Sequence, residues 1–393
     1  MFKNRKNIQL KISSFGHAYN DAYHFIIPLL LPFFRQEFMF SYFQSGLILA
    51  AHVALRSIFS LIFGFLGDRF NHKHLFISFG FIFSSILLGS LLWISNLPFM
   101  ITALLLMAVG VSTFHPLATA MVGEYAMPDK KGRDLCLFNA AGTLGLSVMS
   151  LTFGWFVQMW GWRMACLIVS LPGFLLAWGY AHLKNGTVED DIKAKNPTNQ
   201  FLFIIYFISR GLRGLGNWAI LSFLPLYATD HIGMSPALSA WFVSIYFAGE
   251  LSGSLLMSRF LDKSNPLKIG ILTTLITALL TLTITYNTIT SVIGIMIVSI
   301  GFFQGVYYPS QHTWVTNVSS NQTRGKLFGL TFFVEGVSAT TAPFLYGWLA
   351  DQFGLVYAYR MASIPIFLSF LLYIFTYYIF KKHFFIKLNS VPA

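Results

Sequence analysis

The sequence predicts an all-α integral membrane protein, and three observations carry that prediction. Of its 393 residues, 55% are hydrophobic and only 10% are charged, whereas a soluble domain carries about 25% charged residues. Forty-two residues are Phe, more than one water-facing fold of this size can hide in a core. Apolar runs long enough to cross a hydrocarbon layer of about 30 Å, roughly 20 residues each, recur along the whole chain. The exterior itself is apolar, so lipid is the solvent for most of it.

Twelve such runs lie near residues 12–34, 42–66, 75–95, 98–122, 134–158, 163–183, 200–228, 236–258, 267–286, 289–313, 326–350 and 357–380. Lipid offers no partner for backbone N–H and C=O groups, so each run must be helical. The N-terminus is basic (Lys3, Arg5, Lys6, Lys11), but no small-residue cleavage site follows a short apolar region. The first run is therefore read as a retained helix.

The net charge of +12 would suit a nucleic-acid partner if the cations formed one face. They do not; they fall in small groups between apolar runs, as membrane topology requires. With the N-terminus inside, 20 of the 26 Lys and Arg lie in cytoplasmic segments, and only Arg35, Arg163 and Arg360 lie opposite. Arg56, Arg210 and Arg213 lie within helices. Both termini are thus expected in the cytoplasm, in the inner membrane of a bacterium. Cys136 and Cys166 are expected near opposite ends of adjacent helices, which argues against a disulfide.

Between the sixth and seventh runs lies the one long polar stretch, which sets the domains: residues 1–184 as an N-terminal six-helix bundle, 185–199 as a cytoplasmic linker, and 200–393 as a C-terminal bundle. An internal repeat supports the division. Gly154-Trp155 and Gly161 recur as Gly347-Trp348 and Gly354, and Pro172 recurs as Pro365, all displaced by 193. Gly132-Arg133 recurs as Gly325-Lys326 at the same displacement, while Asn20, Ala22 and Pro28 match Asn217, Ala219 and Pro225 at 197. Two pseudo-symmetric halves in parallel repeat are the expected architecture.

The segment Gly64-Phe65-Leu66-Gly67-Asp68-Arg69-Phe70-Asn71-His72-Lys73 closes the second run and opens the third. Its glycines permit close helix approach, and Asp68 is placed to cap a neighbouring helix N-terminus. A degenerate copy, Ser258-Arg259-Phe260-Leu261-Asp262-Lys263, occupies the equivalent loop of the second half. The segment resembles the G-x-L-x-D-R-x-G-R-K signature of the major facilitator superfamily, with Asn71 in place of the usual second Gly. The resemblance covers essentially the whole chain. It implies the major facilitator fold, two six-helix bundles around a cavity open to one side at a time, and transport by alternating access. It also implies a conformational latch at Gly64, Asp68, Arg69 and Asp262.

Ionisable side chains in mid-membrane are costly and mark function by default. His17, Asn20, Asp21 and His24 lie at spacings of three and four on the first helix, hence on one face. His52 and Arg56 sit one turn apart on the second, and Arg210, Arg213 and Asn217 form a stripe on the seventh. Glu250, Gln304 and Glu335 follow on the eighth, tenth and eleventh. Asp21, Glu250 and Glu335 are the expected proton-coupling groups. The Arg residues, together with His17, Asn20, His24, His52, His115, Asn217 and Gln304, are the expected lining of a substrate cavity for an anionic or zwitterionic solute.

Phe114-His115-Pro116 lies inside the fourth helix, where Pro116 frees a carbonyl and permits a bend. Together with Asn20-Asp21, this triplet resembles the fosmidomycin-resistance branch of the superfamily, which implies proton-driven export of a small polar compound or drug. The sequence departs from that branch where an acid is expected after the triplet (Leu117) and where a Gly-Gly-Asn run reads Ala140-Ala141-Gly142. An importer of a small organic acid or metal chelate is the alternative, with a membrane receptor behind it. No HExxH, phosphate-loop or paired-cysteine motif is present, so neither enzyme chemistry nor a cofactor or metal is expected. The first-helix stripe is the one place where His residues stand at metal-ligand spacing near a carboxylate. A monomer in the bilayer, with a small solute and protons as partners and no nucleic acid, is the expected state.

Overall fold

The computed structural model describes residues 2–70, 72–125, 131–183, 200–260, 264–318 and 321–389; side chains at 2–7, 68, 123–125, 131–136, 200–202, 321–326 and 380–389 lie outside the description. The expected linker, residues 185–199, and Asp262 therefore fall outside the described residues, as does the side chain of Asp68.

Twelve α-helices run in chain order: α1 (Phe2–Phe38), α2 (Tyr42–Phe70), α3 (Lys73–Ser90), α4 (Leu97–Ser112), α5 (Phe114–Tyr125), α6 (Lys131–Ala181), α7 (Gln200–Leu226), α8 (Pro236–Ser258), α9 (Pro266–Ile284), α10 (Thr290–Val318), α11 (Asn321–Phe353) and α12 (Leu355–Asn389). They map onto the twelve apolar runs with one adjustment. The fourth run is broken at Thr113 into α4 and α5, because Pro116 removes one backbone donor and crowds the preceding turn. The fifth and sixth runs are two helices on either side of a kink at Gly161, whose φ of 78° and ψ of 163° are not helical, and they share the label α6. A five-residue π-helical turn, Tyr227–His231, completes the seventh.

Nine helical stretches among the described residues are long and apolar enough to cross a membrane, one of them the double-length Leu137–Ala181. The helices missing from those nine, α1 and α7, carry the two longest polar stripes, His17 to His24 and Arg210 to Asn217. The exterior is apolar as expected: Leu61, Trp93, Leu175 and Trp178 are among many large side chains left exposed.

The chain divides into two compact units. Unit 1 comprises residues 1–190 and 222–248; unit 2 comprises residues 191–221 and 249–393. Within unit 1, α1 and α3 pack on α6, and α4 packs on α2 and α3. Within unit 2, α9 packs on α10 and α12, and α11 packs on α12. Without a hydrophobic drive between helices in lipid, close packing of small residues holds such contacts. A Cβ on Gly145 would meet the Ala18 backbone at 2.3 Å, and one on Gly305 would meet the Glu250 carbonyl oxygen at 1.8 Å.

The repeat is visible in the backbone. The positive-φ residues among those described are Met39, Gly161, Gly233 and Gly354. They form two pairs, Met39 with Gly233 and Gly161 with Gly354, displaced by 194 and 193. The prolines follow: Pro32, Pro116 and Pro172 correspond to Pro225, Pro309 and Pro365 at 193. The Asn20–Asn217 match at 197 is therefore about one helical turn out of phase with these landmarks. At the common displacement, Asn20 corresponds to Arg213 and His17 to Arg210. Side-chain packing agrees. Phe114 meets Tyr180 edge-on at 6.1 Å and 83°, and Tyr307 meets Tyr373 at 6.1 Å and 82°.

Candidate functional site

Among the described residues, each unit holds a buried polar cluster, and the two are built from equivalent helices. In unit 1 it lies where α1, α5 and the first half of α6 meet. Nδ1–H of His17 donates to the carbonyl oxygen of Phe138 at 2.7 Å. A carbonyl can only accept, so the proton sits on Nδ1, and in a neutral ring Nε2 is a lone pair. That Nε2 faces Oδ2 of Asp21 at 3.2 Å, while Nε2 of His115 lies 3.0 Å from Oδ1 of the same carboxylate. The His17 ring is clamped by Phe138, stacked at 4.2 Å, and by Phe114 at 5.8 Å.

Gly142 makes the arrangement sterically feasible. A Cβ at that position would lie 2.7 Å from Oδ2 of Asp21 and 2.9 Å from Nε2 of His17. Further along α1, the ring of His24 stacks on His52 at 5.5 Å. Nδ1–H of His52 donates to the Leu104 carbonyl at 2.9 Å, leaving its Nε2 without a partner. Arg56 lies within electrostatic range of Asp21 and His24. Asn20 is buried on the same helix, its amide nitrogen without a partner.

In unit 2 the cluster lies among α7, α10 and α11. Arg210 donates from Nη2 to Oε1 of Glu335 at 2.9 Å. Arg213, one turn on, lies 3.6 Å above the Tyr307 ring centroid and donates from Nη1 to the side-chain oxygen of Gln304. Both guanidinium groups are buried. Nε and Nη2 of Arg213 have no hydrogen-bond partner, and no carboxylate among the described residues lies within ion-pair distance of it. Tyr308 lies within electrostatic range of Glu335, Arg210, Glu250 and Arg213. Asn217 is buried further along α7.

The two clusters are related by the repeat. Phe114-His115-Pro116 corresponds to Tyr307-Tyr308-Pro309, and Gly142 corresponds to Glu335. Where unit 2 places a carboxylate, unit 1 leaves the space of a glycine and supplies its acid from α1 as Asp21. Where unit 2 has the fixed cation Arg210, unit 1 has His17.

The residues expected from sequence thus gather as two sets. His17, Asp21 and His115 meet directly, with His24, His52 and Arg56 beside them. Arg210 meets Glu335, and Arg213 meets Gln304. The Phe138 carbonyl, Gly142, Tyr307 and Tyr308 were not among the expected residues. The 193-residue correspondence with Phe114 and His115 was the signal that could have found the two tyrosines. In the expected latch, Gly64 packs on Pro116, and the Leu117 side chain fills the space over Gly67. Leu117 is the position where the fosmidomycin-resistance pattern has an acid, and here it serves as packing between α2 and α5.

The three Arg residues expected opposite the cytoplasm are all engaged. Arg35 donates to Asp230 at 3.0 Å and to the Phe40 carbonyl, and Tyr42 donates to the same Asp230 at 2.9 Å. Arg163 grips both oxygens of Glu37, at 3.0 and 2.5 Å. Arg360 donates to the Thr285 hydroxyl at 3.2 Å and lies 4.2 Å over the Tyr286 ring.

Known proteins share this fold. The chain is 22% identical to the cis,cis-muconate transport protein of Acinetobacter baylyi, over 81% of each chain. It is 24% identical to a putative proline/betaine transporter of Staphylococcus haemolyticus, over 89% of this chain and 81% of that one. Its fold superposes on a bacterial homologue of the human lysosomal transporter Spinster, in an inward-facing and occupied conformation, with a TM-score of 0.80, 15% identity and coverage of 95% and 97%. A D-xylose-proton symporter gives a TM-score of 0.74 at 13% identity, with coverage of 94% and 96%. The rival reading as a membrane enzyme falls with these relatives. The sequence pattern of the Major Facilitator Superfamily matches residues 13–205 and again residues 202–389, one match for each half, and the chain belongs to that superfamily as a secondary transporter.

Proposed function

We propose that this transporter carries a small organic solute bearing a carboxylate, coupled to protons, by alternating access. The observation that carries the reading is Arg213: a buried guanidinium with two groups lacking a hydrogen-bond partner and no carboxylate at ion-pair distance among the described residues. A buried charge without a counter-ion is costly, and a guanidinium matches a carboxylate in bidentate geometry. A carboxylate solute is the partner that meets both conditions. Tyr307 under the guanidinium and Gln304 at its edge would hold the fork in orientation.

Glu335 is the coupling acid in this proposal. A solute carboxylate that also engages Arg210 displaces Glu335 from its ion pair, and the displaced acid takes a proton. The named relatives support the solute class. Muconate is a dicarboxylate, and proline and betaine are zwitterions with one carboxylate each. All are small metabolites and not drugs, which moves the proposed direction from export to uptake. We place the protein as a monomer in a bacterial inner membrane with both termini cytoplasmic.

Proteoliposomes loaded with this protein are expected to accumulate labelled muconate or betaine under an imposed proton gradient, and to lose accumulation with a protonophore. Accumulation indifferent to the protonophore would remove the coupling. Export, implied by the Phe114-His115-Pro116 resemblance, predicts instead that deletion increases drug sensitivity and leaves metabolite uptake unchanged.

A further inference from the structure

We propose that His17, Asp21 and His115 form an exchangeable binding site for a divalent first-row transition-metal ion. This proposal is independent of the solute and coupling assigned above.

The ligand atoms converge. One nitrogen from each His and one carboxylate oxygen all lie within 4.8 Å of one another. Nε2 of His17 lies 3.2 Å from Oδ2 of Asp21, and Nε2 of His115 lies 3.0 Å from its Oδ1. Bonds of about 2.0–2.2 Å to one ion set adjacent ligands about 2.9–3.5 Å apart in octahedral or tetrahedral geometry. Each imidazole nitrogen is already at that spacing from a carboxylate oxygen, and closing on an ion requires drawing the three ligand atoms in from their present spread of up to 4.8 Å.

The protonation pattern already favours a cation. The Phe138 carbonyl fixes the His17 proton on Nδ1, which is the outer-sphere bond that orients a metal-binding imidazole. In the neutral ring it leaves the Nε2 lone pair facing a carboxylate oxygen, and two acceptors at 3.2 Å repel unless a proton or a metal ion lies between them. In unit 2 the position equivalent to His17 is Arg210, a permanent cation on Glu335. In unit 1 the charge must be brought in. Two imidazoles and one carboxylate suit borderline ions such as Zn²⁺, Co²⁺ and Ni²⁺.

The site also has room. The His115 side chain, 38% exposed, is the least enclosed of the three ligands. Gly142 supplies no side chain toward Asp21 and His17, leaving a face of the ion open for water or another ligand.

The test is a Co²⁺ titration of the full-length protein in nanodiscs, prepared without a histidine tag and followed by ligand-field absorption. One saturable equivalent per chain is expected, displaced by Zn²⁺. His115→Gln and His17→Gln are each expected to weaken binding at least tenfold. Gly142→Ala keeps all three ligands and narrows the site, and it is expected to weaken binding as well. Absence of a saturable spectrum in the wild-type protein overturns the proposal and leaves a proton as the cluster's cation. So does binding that is unchanged in folded His115→Gln, with folding checked by thermal melting. Solute flux plays no part in this readout, so the transport reading and the metal site stand or fall separately.

Discussion

Arg213 concentrates the argument at the residue scale. Removing one partner of a buried charge pair costs about 2–5 kcal/mol, and 1.4 kcal/mol is about a factor of ten. Arg213→Gln is therefore expected to weaken carboxylate solute binding by roughly 30-fold or more, read as the dissociation constant in a tryptophan-fluorescence titration. Arg213→Lys keeps the charge and loses the fork, and should fall between the two. Wild-type affinity in Arg213→Gln would remove the carboxylate assignment. Glu335→Gln holds no exchangeable proton at that position. It is expected to retain solute exchange down a gradient and to lose proton-driven accumulation, and the contrast between the two assays is the measurement. The candidate residues were legible because charges stand out in apolar helices. Their partners were not. Phe138 contributes a main-chain oxygen, which no side-chain type announces. Tyr307 and Tyr308 look in sequence like two more aromatics among many.

At the scale of elements, the glycines at the helix turns can be weighed. Gly161 has φ 78° and ψ 163°, a region that only glycine enters freely. Gly161→Ala is expected to destabilise by about 1–3 kcal/mol, seen as a lower melting temperature in detergent. Gly354, at φ 91°, should behave alike. An alanine tolerated at both positions would show that these turns relax without cost. Gly305→Ala tests a different contact, since its Cβ would sit on the Glu250 carbonyl. Overpacking of this kind costs about 1–3 kcal/mol. The twelve apolar runs were readable because lipid demands about 20 apolar residues per crossing. The break between the fifth and sixth runs was readable too, and it falls on Gly161, the non-helical residue inside α6. The phase of α1 against α7 was misread. Matching Asn20 to Asn217 followed residue identity, whereas the turns and prolines fix the register.

At the scale of the whole molecule, the repeat explains how one architecture yields two chemistries. Equivalent helices hold the Arg210–Glu335 ion pair in unit 2 and a histidine–carboxylate cluster in unit 1. The exchange of Gly142 for Glu335 and of His17 for Arg210 accounts for most of the difference. Orientation can be checked at this scale too. Reporter fusions after residue 389 are expected to report a cytoplasmic C-terminus, and a reporter active only on the far side would reverse the topology.

The grip of Asp230 on Arg35 has a consequence in time. The two are 195 residues apart in sequence. At about 5–20 residues per second, the ribosome delivers Asp230 roughly 10–40 s after Arg35. Until then Arg35 stands without that partner in the last turn of the first helix, inviting the growing chain to turn over. The basic residues in the first third of that helix, Lys3, Arg5, Lys6 and Lys11, are made before it and oppose this from the start. Their task belongs to birth and not to the finished transporter, and thinning them should raise the share of chains inserted upside down without altering the melting temperature of those inserted correctly.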